Sequence, residues 1–212
     1  MQVMSSERSD TKERLGLGIE IVNFIGPEGA GKSYIAKRLA SEAGKVLLPV
    51  GDTLRELARE DKTYLGDECR AMFNEHRYLD PNMLLEILVQ LFKREDLASG
   101  CVMDGGLRTV TEATGFPDVL KRSGREMPVT VVQLMVPQAV CVERLIGEDG
   151  RKRPDDTPEG VANRLRNFYH LLDERVEVIA QNHELLNVDV DCSKENAFER
   201  VCTALVGRKA GR

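Results

Sequence analysis

The segment Gly26-Pro27-Glu28-Gly29-Ala30-Gly31-Lys32-Ser33 constrains this chain more than any other, because it sets Gly, four residues and Gly-Lys-Ser between two patterned runs. Before it, Ile19 to Ile25 reads as a buried strand; after it, 33–43 reads as a helix. That is the setting of a phosphate-binding loop. Glycines let backbone N–H groups close around phosphate oxygens, Lys32 reaches β and γ phosphates, and the Ser33 hydroxyl can ligate Mg²⁺. The competing reading is a Gly-rich strand-to-helix turn beside an ordinary surface lysine, and the flanking strand and helix weigh against it.

A length of 212 residues suits one substantial core rather than two large domains. Hydrophobic residues at 42%, charged residues at 31% and a net charge of −5 fit a globular protein. The basic runs Lys121-Arg122 and Arg151-Lys152-Arg153 are too short for a polyanion-binding stripe, so no nucleic-acid partner is expected. The five cysteines, Cys69, Cys101, Cys141, Cys192 and Cys202, are scattered, with no Cys-x-x-Cys pair, which indicates neither a disulfide framework nor zinc. Residues 1–17 read as a disordered leader, and no run approaches the ~20 apolar residues that cross a bilayer. A cytoplasmic protein without a membrane partner is the expectation.

Further strands are predicted over 45–49, 101–104, 129–136 and 185–190. Between them, helices are predicted from Gly51-Asp52-Thr53 to Arg59, over 66–75, from Pro81 to about Ser99, from Thr109 to Arg122 and over 137–146. Two more run from Thr157-Pro158-Glu159 to about Gln181 and from Ser193 to about Leu205. Asp52 or Thr53, Asp80, Thr157 and Ser193 are the expected N-caps, and Thr109 with Glu112 resembles a capping box. Strict alternation argues for an α/β fold: a doubly wound parallel sheet of about five strands, helices on both faces, and ligands at the carboxyl ends of the strands. Both the loop and Asp104 fall at such ends. Phosphoryl transfer needs cations placed where charge spreads, and Arg55, Arg108, Arg144, Arg153 and Arg164 stand in loops or helices near those ends. His76, His170 and His183 have no nucleophile partner and read as structural.

The stretches GPEGAGKS, GDTLRE, LGDE, YLDPNML, DGGLRTVTEA, VERLIG, RKRPDD and TPEGVANRLRNFY follow one another between about Ile19 and Val201. Through them the chain resembles the adenylate kinase family of nucleoside monophosphate kinases. The resemblance implies a P-loop kinase domain over 18–206 and a tail over 207–212. Within the domain it implies a small helical insertion for the acceptor at about 53–79 and a lid at about 147–156, too short for a zinc-bearing or β-stranded form. It implies ATP held by Gly26 to Ser33 and Arg144, and a nucleoside monophosphate held by Gly51, Asp52, Arg55, Arg108, Glu112, Arg153 and Arg164. Lys32, Arg108, Arg144, Arg153 and Arg164 would serve the transfer, and Ser33 and Asp104 would hold Mg²⁺, partly through water. A monomer is the family-like default.

The chain also departs from the family. The usual DGFPR is Asp104-Gly105-Gly106-Leu107-Arg108, which implies a looser turn and a less firmly aimed Arg108. A lid arginine is Glu148, for which Arg151 could substitute. Of the residues that read adenine, a Thr is Val50 and a Gln is Glu112. Glu112 carries two readings: a carboxylate accepting from a base edge, or a partner of Thr109 in the capping box. The expected reaction is Mg²⁺-dependent transfer from ATP to a nucleoside monophosphate, with AMP leading and CMP or GMP as alternatives. The rival readings are a nucleotide-binding regulatory protein with weakened transfer and a P-loop kinase of another small metabolite.

Overall fold

Strand β1 (Glu20–Ile25) is buried along its whole length, and the rest of the structure is arranged on either side of it. The computed structural model describes residues 15–150 and 156–210. After β1 come α1 (Lys32–Ala43), β2 (Val46–Pro49), α2 (Val50–Glu60), α3 (Tyr64–Asn74), α4 (Pro81–Phe92), β3 (Gly100–Asp104) and α5 (Val110–Ser123). Then follow β4 (Val129–Met135), α6 (Gln138–Ile146), α7 (Pro158–His170), α8 (Leu172–Asn182), β5 (Glu184–Asp189) and α9 (Lys194–Ala210).

The five strands form one parallel sheet in the order β2-β3-β1-β4-β5. From β1 the chain first crosses to one side and later to the other, so the switch point lies at the carboxyl end of β1. Register makes this concrete: Asp104 pairs with Phe24 on one side and Pro49 on the other. The loop after β1, the end of β3 and the start of α2 therefore meet.

Alternation along β1 divides the core. Val22 and Phe24 join α1 and α9 through Ile35, Leu39, Phe198, Val201 and Leu205. Ile21 and Ile25 join the opposite layer with Leu88, Phe92, Phe116 and Ile179. Each such side chain contributes about 1.5–3 kcal/mol when fully buried. Asn23 lies among them, fully buried, with no hydrogen-bond partner for its amide among the described residues.

Several boundaries differ from the sequence expectation. The helix expected to reach Ser99 ends at Phe92, where the Arg125 guanidinium donates to the carbonyls of Phe92 (3.1 Å) and Arg94 (3.3 Å), and a short 3-10 turn, Glu95–Leu97, follows. The helix expected from 158 to about 181 breaks at Leu171 (φ −99, ψ 3), which frees α7 to pack on α6 and α8 to pack on α5. Neither Asp52 nor Thr53 caps α2: the helix starts at Val50, and the Thr53 hydroxyl donates to the Pro49 carbonyl at 3.1 Å. Helix α9 continues to Ala210, so 207–210 of the expected tail are helical. That last turn is held by Arg208, which pairs with Glu20 at 2.5 Å. Residues 1–14 of the expected leader lie outside the described residues, whereas Leu15 is fully buried and Leu17 packs on the same core. Among the described residues no helix is long and apolar enough to cross a membrane.

Candidate active site

At the switch point the loop between β1 and α1 folds so that Gly31 takes a left-handed conformation (φ 90) and α1 begins at Lys32. This leaves first-turn N–H groups of α1 pointing out of its N-terminus, an anion-binding arrangement. Gly29 is required as glycine: its φ is +87, and a Cβ there would stand 2.7 Å from the Cys141 carbonyl oxygen. Lys32 folds back over the loop, its ammonium donating to the carbonyls of Gly26 (2.7 Å) and Pro27 (2.8 Å). Burial lowers its pKa to about 8, opposed by Glu28 and Asp104 and reinforced by Arg108.

A cleft of about 750 Å³ opens beside the loop. Gly26, Glu28, Gly29, Ala30, Gly31, Lys32 and Ser33 line it, with Gly51, Asp52, Arg55, Asp104, Arg108, Arg144 and Arg164. Pro27 contributes its carbonyl to Lys32 instead, and Arg153, Arg151 and Asp155 lie outside the described residues. Ser33 and Asp104 offer one hydroxyl and one carboxylate, a donor set suited to Mg²⁺, which keeps much of its shell as water and phosphate oxygen. No group of three or more His, Cys, Asp or Glu among the described residues could hold a metal ion.

The turn after Asp104 departs most from ordinary backbone. Gly105, Gly106 and Leu107 all have positive φ (87, 81 and 50), and for Leu107 that conformation is strained. What holds it is a clamp on both sides of Arg108. The Glu112 carboxylate accepts from the Arg108 N–H at 2.6 Å, and the Arg175 guanidinium donates to the Arg108 carbonyl at 2.7 Å. Thus Arg108, expected to be loosely aimed, has its peptide groups tied down, and its guanidinium lies over the Tyr78 ring at 5.6 Å. Thr109 caps α5 by accepting from Glu112 N at 3.1 Å, but the Glu112 side chain does not close the box on Thr109 N–H. Glu112 is 1% exposed, behind the turn and outside the cleft lining. Burial raises its carboxyl pKa, while the Arg108 N–H and the Arg108 charge work against that rise.

The other arginines rest on nearby oxygens. Arg55 pairs with Asp52 at 2.9 Å and lies over the Phe73 ring at 5.3 Å. Arg144 donates to the carbonyls of Gly29 (3.4 Å), Val190 (3.4 Å) and Cys192 (3.3 Å), tying α6 to the phosphate loop and to the loop after β5. Arg164 is nearly buried, with Glu28 at 2.8 Å and Asp156 at 2.7 Å.

Sequence reasoning missed Arg175 and Tyr78, both in the cleft lining. For Arg175 a signal existed: it sits on the stripe Leu172, Arg175, Val176, Ile179, where helical spacing predicts an apolar residue. A charge on that stripe marks a buried cation.

A family model described as adenylate kinase matches residues 24–184. Among curated proteins, the chain is 29% identical over 186 residues to an adenylate kinase of Clavibacter michiganensis subsp. michiganensis, covering 87% of this chain and 92% of the relative. Against an adenylate kinase of Mycobacterium leprae it is 30% identical over 185 residues, covering 87% and 98%. Against one from Maricaulis maris it is 31% identical over 185 residues, covering 86% and 96%.

Proposed function

Because the chain belongs to the adenylate kinase family, we propose that it transfers the γ-phosphoryl group of ATP to a nucleoside monophosphate, AMP foremost, giving two ADP. The observation that carries this reading is the convergence of Lys32, Asp104, Arg55, Arg108, Arg144 and Arg164 on one cleft at the carboxyl ends of β1, β3 and β2.

Each residue has a role that its chemistry supports. Backbone N–H groups of the phosphate loop and the Lys32 ammonium bind the β and γ phosphates, with Lys32 exchanging its two loop carbonyls for phosphate oxygens. Ser33 and Asp104 would hold Mg²⁺, directly or through water, and the ion would supply positive charge against that of the triphosphate. Arg55, Arg108 and the start of α2 at Gly51 and Asp52 hold the acceptor and keep its phosphate oxygen in line with the γ phosphorus. Arg144 and Arg164, with Arg153 from the short lid at about 147–156, gather over the moving phosphoryl group and exclude water, so that transfer outruns hydrolysis. Helices α2 and α3 pack on one another and form most of the acceptor subdomain at about 53–79.

The test is a panel: purified protein, ATP and Mg²⁺ with each ribo- and deoxyribonucleoside monophosphate, counting the diphosphates formed. Turnover with AMP best is the expected result. Preference for CMP or GMP moves the acceptor assignment, and tight ATP binding with no acceptor-dependent turnover overturns the kinase reading in favour of a nucleotide-binding regulator.

A further inference from the structure

Arg175 enters the cleft from α8 with 1% of its surface exposed and only part of its guanidinium engaged. Nη1 donates to the Arg108 carbonyl at 2.7 Å, and the guanidinium lies over the Phe168 ring at 4.6 Å. Nε and Nη2, the edge that forms a two-pronged donor, have no hydrogen-bond acceptor among the described residues. A buried guanidinium with unused donors is unfavourable unless something supplies oxygen atoms. Its surroundings do not offset the charge: burial depresses its pKa, Tyr78 and Glu112 oppose that effect, and neighbouring Arg108 adds to it. Two arginines that line the same cleft and act on each other's charge make a socket for an anion with several oxygens.

We propose that Arg175 is a direct ligand of the acceptor's phosphate monoester, its Nε and Nη2 taking two phosphate oxygens while Nη1 stays on the Arg108 carbonyl. This rests on the kinase reading of the cleft. It assigns the site a phosphate ligand from α8, added to Arg55 and Arg108, and makes acceptor binding depend strongly on the monoester's charge. The same contact explains why a charged residue occupies the apolar stripe of α8. The site is completed by substrate, and the empty protein carries the cost.

The experiment compares the full-length protein with Arg175→Leu, which keeps bulk and removes charge. Acceptor KM is expected to rise about 10–100-fold, as for loss of charge-assisted hydrogen bonds, with ATP KM nearly unchanged. The melting temperature of the unliganded variant should change little, because removing an incompletely paired buried charge offsets the loss of its hydrogen bond to the Arg108 carbonyl. In an Arg108→Leu background, Arg175→Leu should still weaken the acceptor about tenfold, as expected for a contact of its own. An unchanged acceptor KM overturns the proposal. So does a loss of all effect in the Arg108→Leu background, which would make Arg175 a support for the turn, and so does a lower melting temperature with equal losses for both nucleotides, the mark of a structural residue. Should the wild-type protein turn over no monophosphate at all, the kinase reading fails first. Calorimetric binding of inorganic phosphate then decides the inference separately, with weaker binding by Arg175→Leu expected and equal binding overturning it.

Discussion

The Glu112 carboxylate holds the backbone N–H of Arg108 at 2.6 Å, behind a turn in which Leu107 has φ 50. In place of a proline-stiffened turn, the chain uses a side chain from the following helix. Glu112→Ala leaves the Arg108 N–H without its partner and should cost about 1–3 kcal/mol of stability, with a raised acceptor KM and an unchanged ATP KM. Glu112→Gln can still present a carbonyl oxygen and should stay close to wild type, keeping the same order of preferred monophosphates in the panel. A switch in base preference by Glu112→Gln would show that this residue reads the base instead.

With Lys32 on the phosphates as proposed, ATP binding should be sensitive to pH. The Lys32 pKa in the ligand-free protein is about 8 against an ordinary 10.5, so above pH 8 the ammonium is increasingly lost in the folded state. Phosphates bind the charged form, and ATP affinity should therefore fall by up to about tenfold per pH unit above 8, with a proton taken up on binding. Stability has the opposite sign. Between pH 8 and 10.5 the unfolded chain binds more protons at this site than the folded one, so the unliganded protein gains stability from Lys32 as pH rises. Calorimetry in buffers of different ionisation enthalpy reads the proton uptake, and Lys32→Met should abolish it together with transfer while leaving the fold intact.

Glu28 occupies the phosphate loop and holds Arg164 at 2.8 Å. In the proposed ATP complex a carboxylate on this loop repels the phosphates, and an arginine bound to that carboxylate is withheld from the substrate. Glu28→Gln should tighten ATP several-fold and reduce the barrier to recruiting Arg164, which keeps Asp156 as a partner at 2.7 Å. Titration calorimetry with ATP checks this, and weaker ATP binding by the variant would contradict it.

Gly29→Ala tests the loop geometry. The substitution sets a side chain at φ +87 with its Cβ 2.7 Å from a backbone carbonyl of Cys141, so either the loop or α6 must move. A stability loss of about 1–3 kcal/mol and a marked fall in ATP affinity are expected, read by thermal melting and calorimetry.

Much of the fold and part of the site could be read from residues that lie close together in the chain. The strand-loop-helix unit from Glu20 to Ala43 is fixed by a short, mostly apolar run, glycine spacing and the Lys-Ser start of a helix. Asp80, Thr109 and Thr157 cap α4, α5 and α7 as their spacing predicts, because a cap is a hydrogen bond between near neighbours. The position of Asp104 beside the loop also follows, since parallel strands in a doubly wound sheet present their carboxyl ends together.

Tertiary structure decided what depends on partners far apart in sequence. The end of α4 at Phe92 is set by Arg125, 33 residues away, and the last turn of α9 by a pairing of Arg208 with Glu20 across 188 residues. The break at Leu171 goes with the packing of α7 and α8 on different neighbours, which no local periodicity records. Above all, the sequence determined which cations the chain carries near the strand ends, whereas folding determined what each of them faces. Arg144 rests on carbonyls, Arg164 on carboxylates, and Arg175 rests on one carbonyl with no acceptor for Nε and Nη2 among the described residues, because burial removes water and leaves each charge only the oxygen atoms that the packed chain brings within reach.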